Sequence, residues 1–330
     1  MLCSPSKQMS IEEQWQAPRP RKEGMLEEID SLVDWKPIEK RLRAMYSKSK
    51  GRPAISPLGM FKLLLLEYFY NLSDVKAVEE LHDRRSFERF CGIDLTEHHV
   101  DDSSLVRFRR RLEQHKLMDK LFEEFNRQIE DRGLLVKKGT LVDSTLVQGA
   151  HRPGAKGKDG GVLDEDVTWT KRHGQTRHGM KVSIGVDEDS EIVRRINLAT
   201  ASEHDAPLLP EVVCGDEKKV YADKGYASEA NREYLVLNDI ADGILHKGTR
   251  AHKLRGWQVS LNKKLSRHRN AVERKFAESK RWHGMERMRY RGLSRSAIQV
   301  YATVLVMNIK RMWRLVKSSL APHVEAALRP

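Results

Sequence analysis

Three acidic residues stand where acids are out of place. Asp143 interrupts the apolar run TLVDSTLV, Asp223 ends KKVYAD, and Glu273 sits among bases in HRNAVERKFAESKRW. Strands disfavour Asp, and a carboxylate withdrawn from water needs a compensating partner. One carboxylate in mid-strand, a second at a strand end and a third on a basic helix could converge on divalent cations. A pair of such ions is the usual machinery for in-line attack on a phosphodiester. Nucleic acid is therefore the leading substrate class.

The charge balance points the same way. The 330-residue chain carries a net charge of +13. Between Ile244 and Arg291, fifteen Lys or Arg stand against three acids, Glu273, Glu278 and Glu286. A solvated helix surface is the commoner origin of a short charge run. This run is long and interleaved with Trp257, Phe276, Trp282 and Tyr290, which favours contact with a polyanion. On one helix, Arg269 stands four residues before Glu273 and Lys280 seven after, so the three share a face. Taken alone, Glu273 reads as an exposed intrahelical ion pair worth roughly a few tenths of a kcal/mol. Beside two aspartates it reads as part of a site, with Glu278 as its competitor for the third place.

The elements that must position these residues follow from periodicity. Residues 1–50 are polar and irregular and are expected to form a loosely packed extension. From 51 to 135 the pattern is helical, from ISPLGMFKLLLLEYFY to LMDKLFEEFNRQIEDRG, which predicts a small all-helical domain. Arg107, Arg109, Arg110 and Arg111 would give it phosphate contacts, although a helical bundle with a charged outer face fits the same pattern equally well. Residues 136–318 read as three strands, then helix, strand, helix, strand and helices. An α/β mixed sheet of that order has the plan of a ribonuclease H-like catalytic domain. It would place Asp143 and Asp223 on adjacent central strands and present Glu273 from a long basic helix. A basic, Gly-rich insert occupies 149–178, and residues 319–330 read as a tail. Among the remaining polar residues, Asp187 is expected to serve a hairpin turn, Asp205 to cap a helix, and Lys181 either to face DNA or to be solvated at a strand edge.

Several classes are disfavoured. No apolar run is long enough to span a bilayer, and the start MLCSPSKQMS lacks a signal-like apolar core. The three cysteines, Cys3, Cys91 and Cys214, form no zinc or disulfide pattern, and a reducing cytoplasm is the expected setting. His98 and His99 are adjacent, so they diverge on a helix and make a poor metal pair.

The motifs VDST around Asp143, HGMKVSIGVD with ATASEHDAPLL, VYADKGY around Asp223, and Arg269, Glu273 and Lys280 followed by MRYRGL resemble the DDE transposases of bacterial insertion sequences, specifically the insertion sequence five family. The resemblance extends over roughly residues 50 to 317; Ser266 stands where the family signature often has Tyr. It implies that Asp143, Asp223 and Glu273 bind two Mg²⁺ ions, for which Mn²⁺ would substitute, and that Arg269 and Lys280 touch DNA. Lys181, Arg281, Arg107 and Arg110 are further candidates for DNA contact. The implied activity is cleavage at the element's ends followed by joining to target DNA. The partners would be double-stranded DNA and further copies of the chain, with no membrane and no small-molecule substrate. A ribonuclease H-like nuclease that cuts without joining, or a catalytically silent DNA-binding relative, is the alternative.

Overall fold

One helix cannot lie on a surface. In Pro57–Phe69 every residue from Gly59 to Phe69 is buried, as expected of a helix that is apolar on all sides. The Ser56 hydroxyl caps it, accepting from the Gly59 amide at 3.2 Å, and Pro57 takes an early position where no amide donor is needed. The computed structural model describes residues 24–46, 54–172, 174–249 and 252–327. Within it, Pro57–Phe69 is α3, the axis of a helical layer. Around it lie α1 (Met25–Leu32), α2 (Trp35–Arg43), α4 (Asp74–Asp83), α5 (Arg85–Cys91), α6 (Asp102–Gln114) and α7 (Met118–Asp131).

The first two helices correct the expectation of a loose extension. Ile29, Ile38 and Leu42 are fully buried, so residues 24–46 are integral to the layer; residues 1–23 lie outside the described ones. Leu26, Ile29 and Val33, and then Ile38, Leu42 and Met45, follow helical spacing that the charges between them conceal.

Two charged residues inside α3 dictate much of the packing. Lys62 pairs with Asp30 and lies 4.5 Å over the Trp35 ring. Glu67 accepts from Arg109 at 3.1 Å and from Arg289 at 2.7 Å, while Arg109 also donates to Asp74 at 2.8 Å. Arg109 is thus an internal partner with only 8% of its side chain exposed, not the phosphate contact expected of it. Arg111 stacks 4.6 Å over Tyr46. An arginine run wraps its helix, so only Arg107 and Arg110 of the four point clearly outward.

After residue 139 the chain builds a six-stranded sheet from β1 (Thr140–Gln148), β2 (Thr168–Arg172), β3 (Gln175–Asp187), β4 (Val193–Thr200), β5 (Lys219–Ala222) and β6 (Ala241–Ile244). The path runs β2, β3, β1, β5, β6, and β4 pairs with the second half of β3. β1 is antiparallel to β3 and parallel to β5, which is parallel to β6. This is the mixed sheet of a ribonuclease H-like fold. The sequence had no clear signal for β2, which lies in the 149–178 insert. The insert's acidic patch also has a structural role. Asp164 and Asp166 accept from the amides of Gly292 and Leu293 at 3.2 and 2.7 Å, at the start of the last helix.

Both faces of the sheet are covered. On one, α8 (Leu209–Val212) and α9 (Glu229–Leu237) enclose a small core with Val142, Val220 and Ala222. The other face joins the helical layer in a single core that includes Phe61, Phe125, Leu141, Val182 and Leu305. The boundary near residue 135 is thus a change of element type, with no gap in the core. The expected long basic helix is broken into α10 (Gly256–Leu265), a 3₁₀ turn at Ser266–Arg269 and α11 (Asn270–His283). Like charges at Lys263, Lys264 and Arg267, spaced three and four residues apart, disfavour a straight helix there. The last helix, α12 (Leu293–Ala327), continues through the region expected to be a tail. Its Asn308 accepts from the Val193 amide at 3.0 Å and donates to the Val193 carbonyl at 2.8 Å, completing the outer edge of β4. No helix among the described residues is long and apolar enough to cross a membrane.

Burial pushes the Glu67 carboxyl up to about 7 against the pull of Arg109 and Arg289. Because the folded chain then holds this proton more tightly than the unfolded chain, its contribution is complete below the ordinary value of 4.5 and is lost as pH rises through about 7. Denaturant unfolding of Glu67→Gln should therefore show a shallower loss of stability between pH 5 and 8 than the parent. Arg109→Ala leaves the buried Glu67 short of a cation and should destabilise the fold by about 3–5 kcal/mol in the same measurement.

Candidate active site

Asp143 and Asp223 meet because the parallel pairing of β1 with β5 stops just before both. The ladder pairs Thr140 with Val220, Leu141 with Tyr221 and Val142 with Ala222, then stops. The next residues on the two strands are the two aspartates. Alternation along β1 puts Leu141, Asp143, Thr145 and Val147 on the face toward the helical layer, and Val142, Ser144 and Leu146 on the other. Asp223 turns out of β5 into a 3₁₀ turn without capping it, so its carboxylate is free to face across the strand end.

Arg269 occupies the centre of the acidic group. It donates to Asp143 Oδ2 at 2.8 Å and to Asp223 Oδ1 at 3.3 Å, and it lies 4.0 Å from Glu273 Oε1. Exposure rises across the three acids, with 14%, 36% and 61% of the Asp143, Asp223 and Glu273 side chains accessible. The group is closed at the sheet and open at α11. Val272 and Phe276 anchor α11 in the core. Lys280 reaches β1 from the same helix, donating to Thr145 Oγ1 at 2.8 Å and to the Leu146 carbonyl at 3.3 Å. The three sequence-predicted acids, Arg269 and Lys280 therefore gather on one side of β1.

Burial raises the Asp143 carboxyl above its ordinary value. Arg269 and the Ser144 amide pull it back, and the neighbouring Asp223 charge raises it again. Three carboxylates share one guanidinium, which leaves the group short of positive charge. An all-oxygen, carboxylate-rich donor set suits a hard divalent cation such as Mg²⁺ or Mn²⁺. These residues fit the metal role that the sequence suggested.

Another cluster brings its ligand atoms closer together but fits less well. Cys214, Asp216 and Glu217 lie within 4.8 Å of one another. Arg194 pairs with both carboxylates, Lys137 pairs with Asp216, and Glu217 accepts from the amides of Cys214 and Gly215. Burial raises the Cys214 thiol above its ordinary value, which disfavours the thiolate that a metal requires. The cluster secures the turn that leads into β5.

The other candidates are placed as follows. Lys181 lies within β3, paired with Asp205 at 2.8 Å and bonded to the Glu203 carbonyl; it is half-buried, and strands flank it on both sides. Asp205 forms no helix cap, in contrast to the expectation. It instead accepts from Ser144 Oγ at 2.9 Å. Asp187 anchors its turn as expected, accepting from the Ser190 and Lys137 amides at 2.8 Å each. Glu278, the competitor for the third place, pairs with Lys275 at 3.0 Å. Arg281 is exposed, 5.1 Å over the Trp282 ring, and Arg107 is held by Asp101 at 3.3 Å with 58% of its side chain accessible. Sequence reasoning missed Ser144 and Asn231. For Ser144 the available signal was its place on the strand face that otherwise carries Val142 and Leu146.

A family model described as Transposase DDE domain matches residues 135–309, more than half of the chain and all three acids. A second, described as Transposase domain (DUF772), matches residues 13–111. Among solved structures, the chain is similar to the piggyBac transposase synaptic complex with hairpin DNA, at 10% identity and a TM-score of 0.46, over 89% of this chain and 74% of that one. The Mos1 strand transfer complex matches at 13% identity and a TM-score of 0.19, over 83% and 81% of the two chains. Likenesses so remote carry no weight here. The family match covers the site, and the chain belongs to the DDE transposases, metal-dependent enzymes that cut and join DNA.

Proposed function

We propose that this transposase binds the terminal inverted repeats of its own insertion sequence, cleaves DNA at the ends and joins the freed 3′-hydroxyl to target DNA. The observation that carries this reading is the convergence of Asp143, Asp223 and Glu273 on one guanidinium at the open end of the β1–β5 ladder. When bound, two Mg²⁺ ions, replaceable by Mn²⁺, would activate the attacking hydroxyl and stabilise charge on the scissile phosphate. Asp143 and Asp223 would hold them from the sheet side and Glu273 from the solvent side. Water attacks the phosphorus first and the DNA 3′-oxygen leaves with a proton. That 3′-hydroxyl then attacks a target phosphodiester, displacing the target's own 3′-oxygen. No side chain becomes covalently linked to DNA.

The chain's cations supply alignment. Arg269, in the 3₁₀ turn that precedes α11, and Lys280, on α11, flank the acids and would receive the phosphates adjoining the scissile bond. Arg281 on the same helix, and Arg107 and Arg110 on α6, would hold the backbone further out. Lys181 is the weakest candidate for DNA contact, because its ammonium already has Asp205 and the Glu203 carbonyl. An element has two ends, so the working species would be a homo-oligomer that pairs them, acting on nucleoid DNA in the bacterial cytoplasm.

The test is Mg²⁺-dependent cleavage and joining of a plasmid carrying the DNA that flanks the gene. Parent protein should cut and join at the ends, and Asp143→Asn or Glu273→Gln should each lose about 10³-fold or more in rate. Metal-dependent cleavage retained by Asp143→Asn would overturn the assignment; cutting without joining would favour a nuclease, and binding without cutting a silent relative. Chelation should abolish cleavage while a gel shift persists. Arg281→Ala and Arg110→Ala should each lower the slope of log affinity against log salt by about 1 without altering sequence preference.

A further inference from the structure

The two aspartates are brought together from above by Arg269, and a second carboxylate network holds their supports from below. Asp205 Oδ1 accepts from Ser144 Oγ at 2.9 Å and pairs with Lys181 Nζ at 2.8 Å. Its other oxygen, Oδ2, faces Gly225, where an added Cβ would lie 3.2 Å away. One side chain therefore bonds to β1 and β3 and lies beside the turn that carries Asp223. Ser144 directly follows Asp143 and its amide donates to Asp143 Oδ1 at 2.8 Å. Gly225 is two residues beyond Asp223. Asn231 closes the same junction, donating to the Ala206 carbonyl at 2.9 Å and the Tyr226 carbonyl at 2.8 Å. These contacts lie on the sheet face opposite the Asp143 carboxylate.

We infer that Asp205 is a positioning residue, which fixes the separation of Asp143 and Asp223 by bracing β1 against the Asp223 turn from behind the sheet. It is not a fourth metal ligand. Lys181 compensates its charge one for one, whereas Asp143, Asp223 and Glu273 share a single guanidinium. The position is also one that no local rule explains: the residue preceding Ala206–Leu208 caps nothing. Partners that orient metal ligands affect metal affinity or activity by about 10- to 100-fold when removed.

This inference rests on the proposed role of Asp143 and Asp223 as metal ligands, and the experiment separates the two ideas. Mn²⁺ binding to full-length protein, followed by electron paramagnetic resonance or calorimetry without DNA, is compared for the parent, Asp143→Asn, Asp205→Ala and Asp205→Asn. Cleavage is read as a kcat against KM split. Asp205→Ala should weaken Mn²⁺ binding about 10-fold and lower kcat about 10- to 100-fold, with KM for DNA unchanged. Asp205→Asn should recover most of both, because an amide oxygen accepts the same hydrogen bonds. An Asn variant as impaired as the Ala variant would make Asp205 a ligand and overturn the inference, as would an Ala variant that behaves like the parent. If Asp205→Ala fails to fold, Ser144→Ala removes the contact from the other side and should lower kcat in the same direction; unchanged kcat in that variant also overturns it. Parent protein whose Mn²⁺ binding is insensitive to Asp143→Asn would bring down the ligand reading itself, and the positioning role with it.

Discussion

A carboxylate held on a central strand, between two apolar cores, is the constraint from which the rest of this structure follows. Asp143 has 14% of its side chain accessible, and burial alone would favour the protonated form. Keeping it charged requires a cation close by, and the sheet offers none. Arg269 meets the need from outside the sheet, which obliges the chain to bring a helix N-terminus over the end of the β1–β5 ladder. The termination of β5 at Ala222 makes room for that approach. Had the ladder continued, Asp223 would be a strand residue with its neighbours fully paired, and the guanidinium would have no gap to enter.

The helical layer contributes at the other end of the same strand. Gln148 closes β1, and its amide donates to the Glu286 carbonyl at 3.0 Å while its own carbonyl accepts from Met288 at 2.8 Å. The next residue, Arg289, runs into the layer and binds Glu67, the Leu72 carbonyl and Asn71. Arg109 binds the same Glu67 from α6. A buried carboxylate with two guanidinium partners is costly to disturb. It therefore holds the MRYRGL segment, and through it the end of α11, in a fixed place relative to β1. The helices that resemble a separate DNA-binding unit in sequence are also part of the scaffold of the site.

The legible and illegible parts of the sequence divide along physical lines. Asp143, Asp223 and Glu273 were readable because each breaks a local preference: an acid in a strand, an acid at a strand end, an acid in a basic helix. Five of the six strands were readable from periodicity, and β2 was not. Asp205 and Ser144 were not, because each fits a local rule, a cap or a small strand residue, and only tertiary contact shows that neither serves it. Arg109 misled for a related reason. Charge in sequence suggests solvent, and nothing local reveals that it lies beside a buried acid. The helices α1 and α2 were hidden by their charged outer faces, since two short apolar stripes within residues 24–46 are too brief for periodicity to stand out.

The break between α10 and α11 shows how local geometry shapes the site. On an uninterrupted helix, Arg269 and Glu273 would be ordinary i, i+4 neighbours, satisfied by each other for roughly 0.3–0.5 kcal/mol. The 3₁₀ turn at Ser266–Arg269 winds more tightly, and Arg269 points inward to the two aspartates. Its contact with Glu273 is then only 4.0 Å long, and Glu273 keeps 61% of its side chain in water. A carboxylate so loosely held loses little when it turns toward a cation. The two aspartates, fixed by strand and turn, define the position of a metal, and the helix supplies a third acid free to complete it.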